Sequence, residues 1–114
     1  MAFSETELKR IDKLVGEYLR NLVPLHVRHQ LQYVYRIENQ NVILCEERPR
    51  YDKPDEWSSM DFAKLRYIQR HNHWNLYWKR ASGKWELYAP KGEAKQLATI
   101  MRVIDQDNYG CFFG

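Results

Sequence analysis

The sequence predicts an α+β fold: a five-stranded antiparallel meander sheet with an N-terminal and a C-terminal helix, in the order α-β-β-β-β-β-α. Three observations predict it. Apolar residues recur at helical spacing near both ends of the chain. Five short segments between them alternate apolar and polar residues with period two. Most links between these segments are short enough for hairpins, so neighbouring strands run antiparallel and the helices cover the apolar face.

The first helix has a defined start. Ser4 and Glu7 stand in the S-x-x-E spacing of a capping box, in which each side chain satisfies an orphan backbone N–H of the first turn. Phe3 and Leu8 occupy the positions of a hydrophobic staple. Leu8, Ile11, Leu14, Val15, Tyr18, Leu19 and Leu22 form one apolar stripe, and Pro24 ends the helix near Asn21 to Val23.

Strand one carries Leu31, Tyr33, Tyr35 and Ile37 on one face. Asn39-Gln40 makes the turn, so Glu38 pairs with Asn41, Ile37 with Val42 and Tyr35 with Leu44. This register puts both apolar sets on one side, which is what fixes register in a half-buried hairpin. A charged loop, "RPRYDKPDEWSS", leads to strand three, Met60 to Ile68, whose apolar face is Ala63, Leu65 and Tyr67. A turn at Gln69 to Asn72 pairs Tyr67 with Trp74 and Leu65 with Leu76 on strand four, His73 to Arg80. Ser82-Gly83 reads as a two-residue turn, since Gly tolerates positive φ. It sets Trp78 opposite Leu87, Arg80 opposite Trp85 and Lys79 opposite Glu86. A three-residue loop would pair Trp78 with Glu86 and is rejected on that ground. Leu97, Ile100, Met101 and Ile104 mark a last helix from about Glu93 to Ile104, before a tail ending "NYGCFFG".

This register places Trp74, Leu76, Trp78, Trp85 and Leu87 on the core face. Tyr77 and Tyr88 fall on the opposite face, beside Lys64, Arg66, Lys79 and Arg36. Such a face suits single-stranded nucleic acid: bases stack on aromatic rings while Lys and Arg track phosphates. Glu47 and Glu86, predicted on the same side, oppose a strong phosphate track. A solvated antiparallel face with amphipathic tyrosines has the same pattern.

Other groupings are less specific. Arg48, Arg50 and Tyr51, with Asp52 and Trp57, share the charged loop, and arginine forks suit carboxylate or phosphate. An anion site there competes with charges that pair among themselves. His26 and His29 (H-x-x-H) and His71 and His73 (H-x-H) lack a third ligand in sequence, so no metal is expected. Cys45 has no His placed near it, no hydrolase, zinc-protease or phosphate-loop motif occurs, and Glu46-Glu47 point to opposite strand faces; no catalytic residue is assigned. Phe112 and Phe113 in the tail either dock on the chain's own core or meet a neighbouring subunit or partner.

The chain has 114 residues, a size expected of a single domain, 1–114. Hydrophobic residues make up 44% and charged residues 29%, which excludes a disordered chain. Eighteen Lys and Arg against fifteen Asp and Glu give a net charge of +3, too balanced to mark a nucleic-acid binder by charge alone. Two cysteines exclude a disulfide framework. The N-terminus lacks the apolar stretch of a signal peptide, so a cytoplasmic location is expected.

Four stretches carry a resemblance over essentially the whole chain: "MAFSETELKRIDKLVGEY", "EERPRYDKPDEW", the repeated Trp-x-Leu-Tyr at Trp74–Tyr77 and Trp85–Tyr88, and the terminal "DNYGCFFG". They resemble a family of small bacterial proteins, domain of unknown function 3024. The resemblance implies a bacterial, stand-alone, single-domain protein and supplies no activity, cofactor or site residue. The expected function is a non-enzymatic binding or protein-interaction module without cofactor. The alternative is a single-stranded RNA or DNA binder using Tyr77, Tyr88, Lys64, Arg66 and Lys79. Partners of these surfaces would be a protein, a second copy of the chain or nucleic acid, and not a membrane.

Overall fold

The computed structural model describes residues 3–114; Met1 and Ala2, which open the N-terminal signature, lie outside it. The capping box forms as predicted. Ser4 Oγ accepts from Glu7 N–H at 3.2 Å and Glu7 Oε1 accepts from Ser4 N–H at 2.8 Å. Leu8 is 39% exposed, and Phe3 is buried against Trp74, with ring centroids 5.8 Å apart. The indole offers a larger apolar surface than one leucine.

The helix is one run in three parts: α1 (Glu5–Ile11), a π-turn (Asp12–Gly16) and α2 (Glu17–Leu22). In the π-turn Glu17 N–H reaches Asp12 C=O, five residues back. Asp12 also accepts from Arg20 at 3.2 and 3.1 Å and from the Tyr35 hydroxyl at 2.8 Å. The Asp12–Arg20 pair passes directly over Gly16, where a Cβ would lie 2.4 Å from Asp12 Oδ1. Arg28 closes the helix end by donating to Arg20 C=O at 2.7 Å and Val23 C=O at 3.3 Å.

The strands are β1 (Gln32–Glu38), β2 (Asn41–Pro49), β3 (Trp57–Ile68), β4 (His73–Lys79), β5 (Trp85–Leu87) and β6 (Glu93–Ala94). Strands β1 to β5 follow one another as an antiparallel meander, and β6 also pairs with β4. The β1–β2 and β3–β4 registers are those predicted: Tyr35 with Leu44, Ile37 with Val42, Leu65 with Leu76 and Tyr67 with Trp74. The hairpin arms of β2 and β3 extend further than expected, to Pro49 opposite Trp57, leaving only residues 50–56 as loop. The β2–β3 register also shifts between Leu44 and Cys45, which leaves Phe62 as an extra residue on β3. Strict alternation would point Phe62 away from Ala63. The bulge instead lets both join the core.

The β4–β5 register departs from the prediction. The rejected three-residue loop, Ala81 to Gly83, is the one present. Arg80 N–H bonds Lys84 C=O at 2.9 Å, Gly83 N–H bonds Arg80 C=O at 2.8 Å, and Gly83 has φ +89°. Tyr77 therefore pairs with Leu87, Trp78 with Glu86 and Lys79 with Trp85. A one-residue slip moves every side chain of a strand to the other face. Trp85 and Leu87 leave the core side, and Tyr88 enters it at 2% exposure. The Trp78–Glu86 pairing is tolerated because Glu86 is exposed and its carboxylate lies 3.8 Å from Arg80 Nε.

The last helix, α3 (Leu97–Gln106), starts later than Glu93. Glu93 and Ala94 are drawn onto β4 beside Asn75 and Trp74, and Gly92 C=O accepts from Leu76 N–H at 2.8 Å. These bonds pair backbone groups of β4 that β5 is too short to reach. As predicted, Leu97, Ile100, Met101 and Ile104 face the core. With Ile11, Val15 and Leu19 they cover the sheet face formed by Val42, Leu44, Leu65 and Leu76.

The observed register separates two tyrosines that the sequence placed side by side. Tyr88→Ala is expected to cost about 3 kcal/mol or more as a buried aromatic truncation, and Tyr77→Ala less than about 1 kcal/mol. Urea denaturation of the two variants measures the difference.

Candidate functional site

The helices leave the other face of the sheet uncovered. One row across it runs Arg36, Ile43, Lys64, Tyr77, Leu87, and the next pairs Lys79 with Trp85. The two rows converge on the indole of Trp85. Lys64 Nζ lies 5.3 Å and Lys79 Nζ 5.5 Å from its centroid, and Lys64 Nζ is also 4.8 Å from the Tyr77 ring. These are cation–π distances. Arg66 is exposed in the neighbouring row, opposite Asn41 and Asn75. Among the described residues Lys64, Lys79 and Arg66 form no ion pair with a carboxylate.

Of the predicted sheet-face residues, the structure thus gathers Tyr77, Lys64 and Lys79, with Arg66 beside them. Tyr88 does not belong: it is buried against Phe112, centroids 5.1 Å apart. Trp85 stands where Tyr88 was expected. Glu86, counted against an anionic ligand, is on the other face. The missed signal was the turn. A two-residue type I′ loop needs positive φ at both centres, which Ser82 adopts poorly, whereas a three-residue loop needs it only at Gly83.

At the β1 end of the same face Arg36 is matched by carboxylates, while Glu47, on that face as predicted, has no ion-pair partner among the described residues. Arg36 grips Asp61 with two bonds of 2.7 and 2.8 Å and also pairs with Glu38. The Arg36 fork holds the Asp61 carboxyl down to about 2, against burial, with the Cys45 thiol bond adding to the shift. Cys45 is buried and its Sγ donates to Asp61 Oδ1 at 3.2 Å. Burial first, and then Asp61, push its thiol up to about 11. At neutral pH it is protonated, and it has no adjacent imidazole, so it is no activated nucleophile.

The remaining groupings are placed as follows. Arg50 is held by Asp52 at 3.1 and 2.8 Å and by Glu56 at 3.3 Å, Arg48 pairs with Glu46, and Tyr51 is fully exposed. The arginine forks of this loop are therefore occupied by its own and neighbouring carboxylates. In the tail, Phe112 is buried, while Phe113 packs on Tyr33 and Phe62 at 5.6 and 5.4 Å. Asp107 folds the tail back: with φ +42°, it accepts the Phe112 and Phe113 N–H groups at 3.0 and 2.8 Å. His71 and His73 stack on one another, and His73 faces Glu93 at 3.6 Å. Among the described residues no cluster of three or more His, Cys, Asp or Glu gathers to hold a metal. No helix among them is long and apolar enough to cross a membrane.

Fold and site together define a small α+β protein: a meander sheet with helices on one face and a cation–aromatic surface on the other. The chain belongs to the family described as a domain of unknown function (DUF3024), whose model matches residues 3–114. No curated protein and no solved structure gives a significant match.

Two outcomes follow from the Cys45 cluster. Asp61 titrates lower in the folded chain than in the unfolded one, so its contribution is present above about pH 4 and is lost as pH falls towards about 2. Asp61→Asn is therefore expected to flatten the fall in urea midpoint over that window. At pH 8 a disulfide-exchange reagent is expected to titrate Cys45 only after denaturation, with half-buried Cys111 reacting first.

Proposed function

We propose that the protein is a non-enzymatic binding module, and that single-stranded nucleic acid is the ligand of its outer sheet face. One observation carries this reading: Trp85, flanked by Lys64 and Lys79 and adjoining Tyr77, on a face where these cations have no carboxylate partner. A lysine without an ion-paired carboxylate beside a half-exposed ring suits a ligand that alternates phosphates and planar bases. Stacking on a ring contributes about 1–3 kcal/mol per base and tolerates any sequence. Lys64, Lys79 and Arg66 would follow the backbone. Leu87, 47% exposed at the edge of the patch, adds apolar surface for a sugar or base edge.

The test is fluorescence anisotropy of labelled single-stranded RNA and DNA at several salt concentrations. Three phosphate contacts at about 0.7 each give an expected slope near −2 in a plot of log affinity against log salt. The Tyr77→Ala, Trp85→Ala double variant is expected to lose at least about tenfold in affinity while staying folded. Tyr88→Phe, a buried change away from this face, is the control and should bind as the parent does. Absence of binding even at low salt would overturn the nucleic-acid reading. Salt-insensitive capture of a protein through Trp85 and Leu87 would leave the module a protein binder.

A further inference from the structure

A concave feature lies on the helix-bearing side, away from Trp85. A cleft of about 340 Å³ opens between α1 and the start of α3. Phe3, Tyr67 and Trp74 supply its aromatic lining. Phe3 and Trp74 are nearly parallel, at 18°, and Tyr67 sits 5.1 Å from Trp74. Arg10 and Lys95 stand at the rim, both exposed and both without a carboxylate partner among the described residues. The carboxylate on this rim, Glu7, is engaged by Ser4 N–H at 2.8 Å. The Tyr67 hydroxyl donates to Asn72 Oδ1, which leaves the Asn72 amide N–H groups free to donate.

The dimensions suit one small molecule, since ligand clefts run from about 300 to 1,000 Å³ and pair an apolar lining with a few polar groups. Two unpaired cations against one engaged carboxylate select a negative charge. The rigid fork of Arg10 matches a carboxylate better than a point charge does. We propose that this cleft binds a small aromatic carboxylate, its ring against Phe3, Tyr67 and Trp74 and its carboxylate on Arg10, with Lys95 adding charge. This site is independent of the nucleic-acid surface.

The test is an amide and indole N–H NMR titration of the full chain with indole-3-carboxylate, alongside its neutral isostere indole-3-carboxamide. A ligand of this size is expected to bind with Kd on the order of 0.1–1 mM. The expected result is a set of shifts at the Trp74 indole N–H, Asn72 and Lys95, with the carboxylate about tenfold tighter than the amide. Arg10→Ala, an exposed change that leaves the fold intact, should lose that preference, and Arg10→Lys should keep part of it. The Lys64→Ala, Lys79→Ala double variant should titrate as the parent does. The proposal is overturned by an absence of shifts at about 10 mM ligand, by equal binding of the amide, by an unchanged Arg10→Ala titration, or by loss of binding in the Lys64, Lys79 variant.

Discussion

Two backbone hydrogen bonds across the Ala81–Gly83 loop set what both faces of the sheet present at its β5 edge. A strand has period two, so the length of the turn feeding it decides the orientation of every residue that follows. With three residues in the turn, Trp85 points outward to two lysines and Tyr88 points inward to Phe112. The docking of the C-terminal tail and the composition of the outer face are thus consequences of one closure. Gly83 makes it feasible by taking a φ that a residue with a Cβ rarely adopts.

The outer face divides along its width by how its charges are spent. At the β1 side Arg36 is consumed by Asp61 and Glu38, and the pair shields a buried thiol. At the β5 side the cations lean on aromatic rings instead. An ammonium over an indole keeps its full charge and part of its hydration, and costs little to release. A carboxylate-paired guanidinium must first be separated from its partner. The helix-bearing side shows the same economy at Asp12, where Arg20 first and Tyr35 second hold the carboxyl below its ordinary value. Its reward is a fixed helix position: the Tyr35 hydroxyl, raised to about 12 mainly by burial, ties β1 to the π-turn.

Legibility in the sequence followed the strength of local signals. The capping box, the Asn39-Gln40 turn and the Gln69–Asn72 turn each combine a specific local cue with matched apolar faces, so two independent constraints agree. Strand β5 offered only three residues, too few for patterning to outweigh the turn, and the pattern-based rejection of a Trp78–Glu86 pair chose the wrong register. The turn chemistry of Ser82 carried the information that patterning lacked. The core position of Phe62 does not follow from alternation, because a bulge breaks the period without a composition mark. Glu93 and Ala94 read as helix because nothing local reports the unpaired backbone of β4; that demand is tertiary. On the outer face Tyr77, Lys64, Arg66 and Lys79 were legible because they sit on well-registered strands. Trp85 was not, because it inherits its orientation from the turn.

The meander leaves its two borders unequal. Along β4 the chain fills one flank with two short pieces, β5 and β6, separated by a turn at Ala89–Lys91. The seven residues of β1 form the opposite border, paired with β2 on one side. A broken border of three-residue and two-residue strands is a poor template for a further strand, whereas a continuous one is a good template. Strand addition is therefore favoured at β1 over the broken border. Two molecules joined border to border through β1 would each present the broken border outward, so such an assembly terminates at a pair rather than propagating as a fibre.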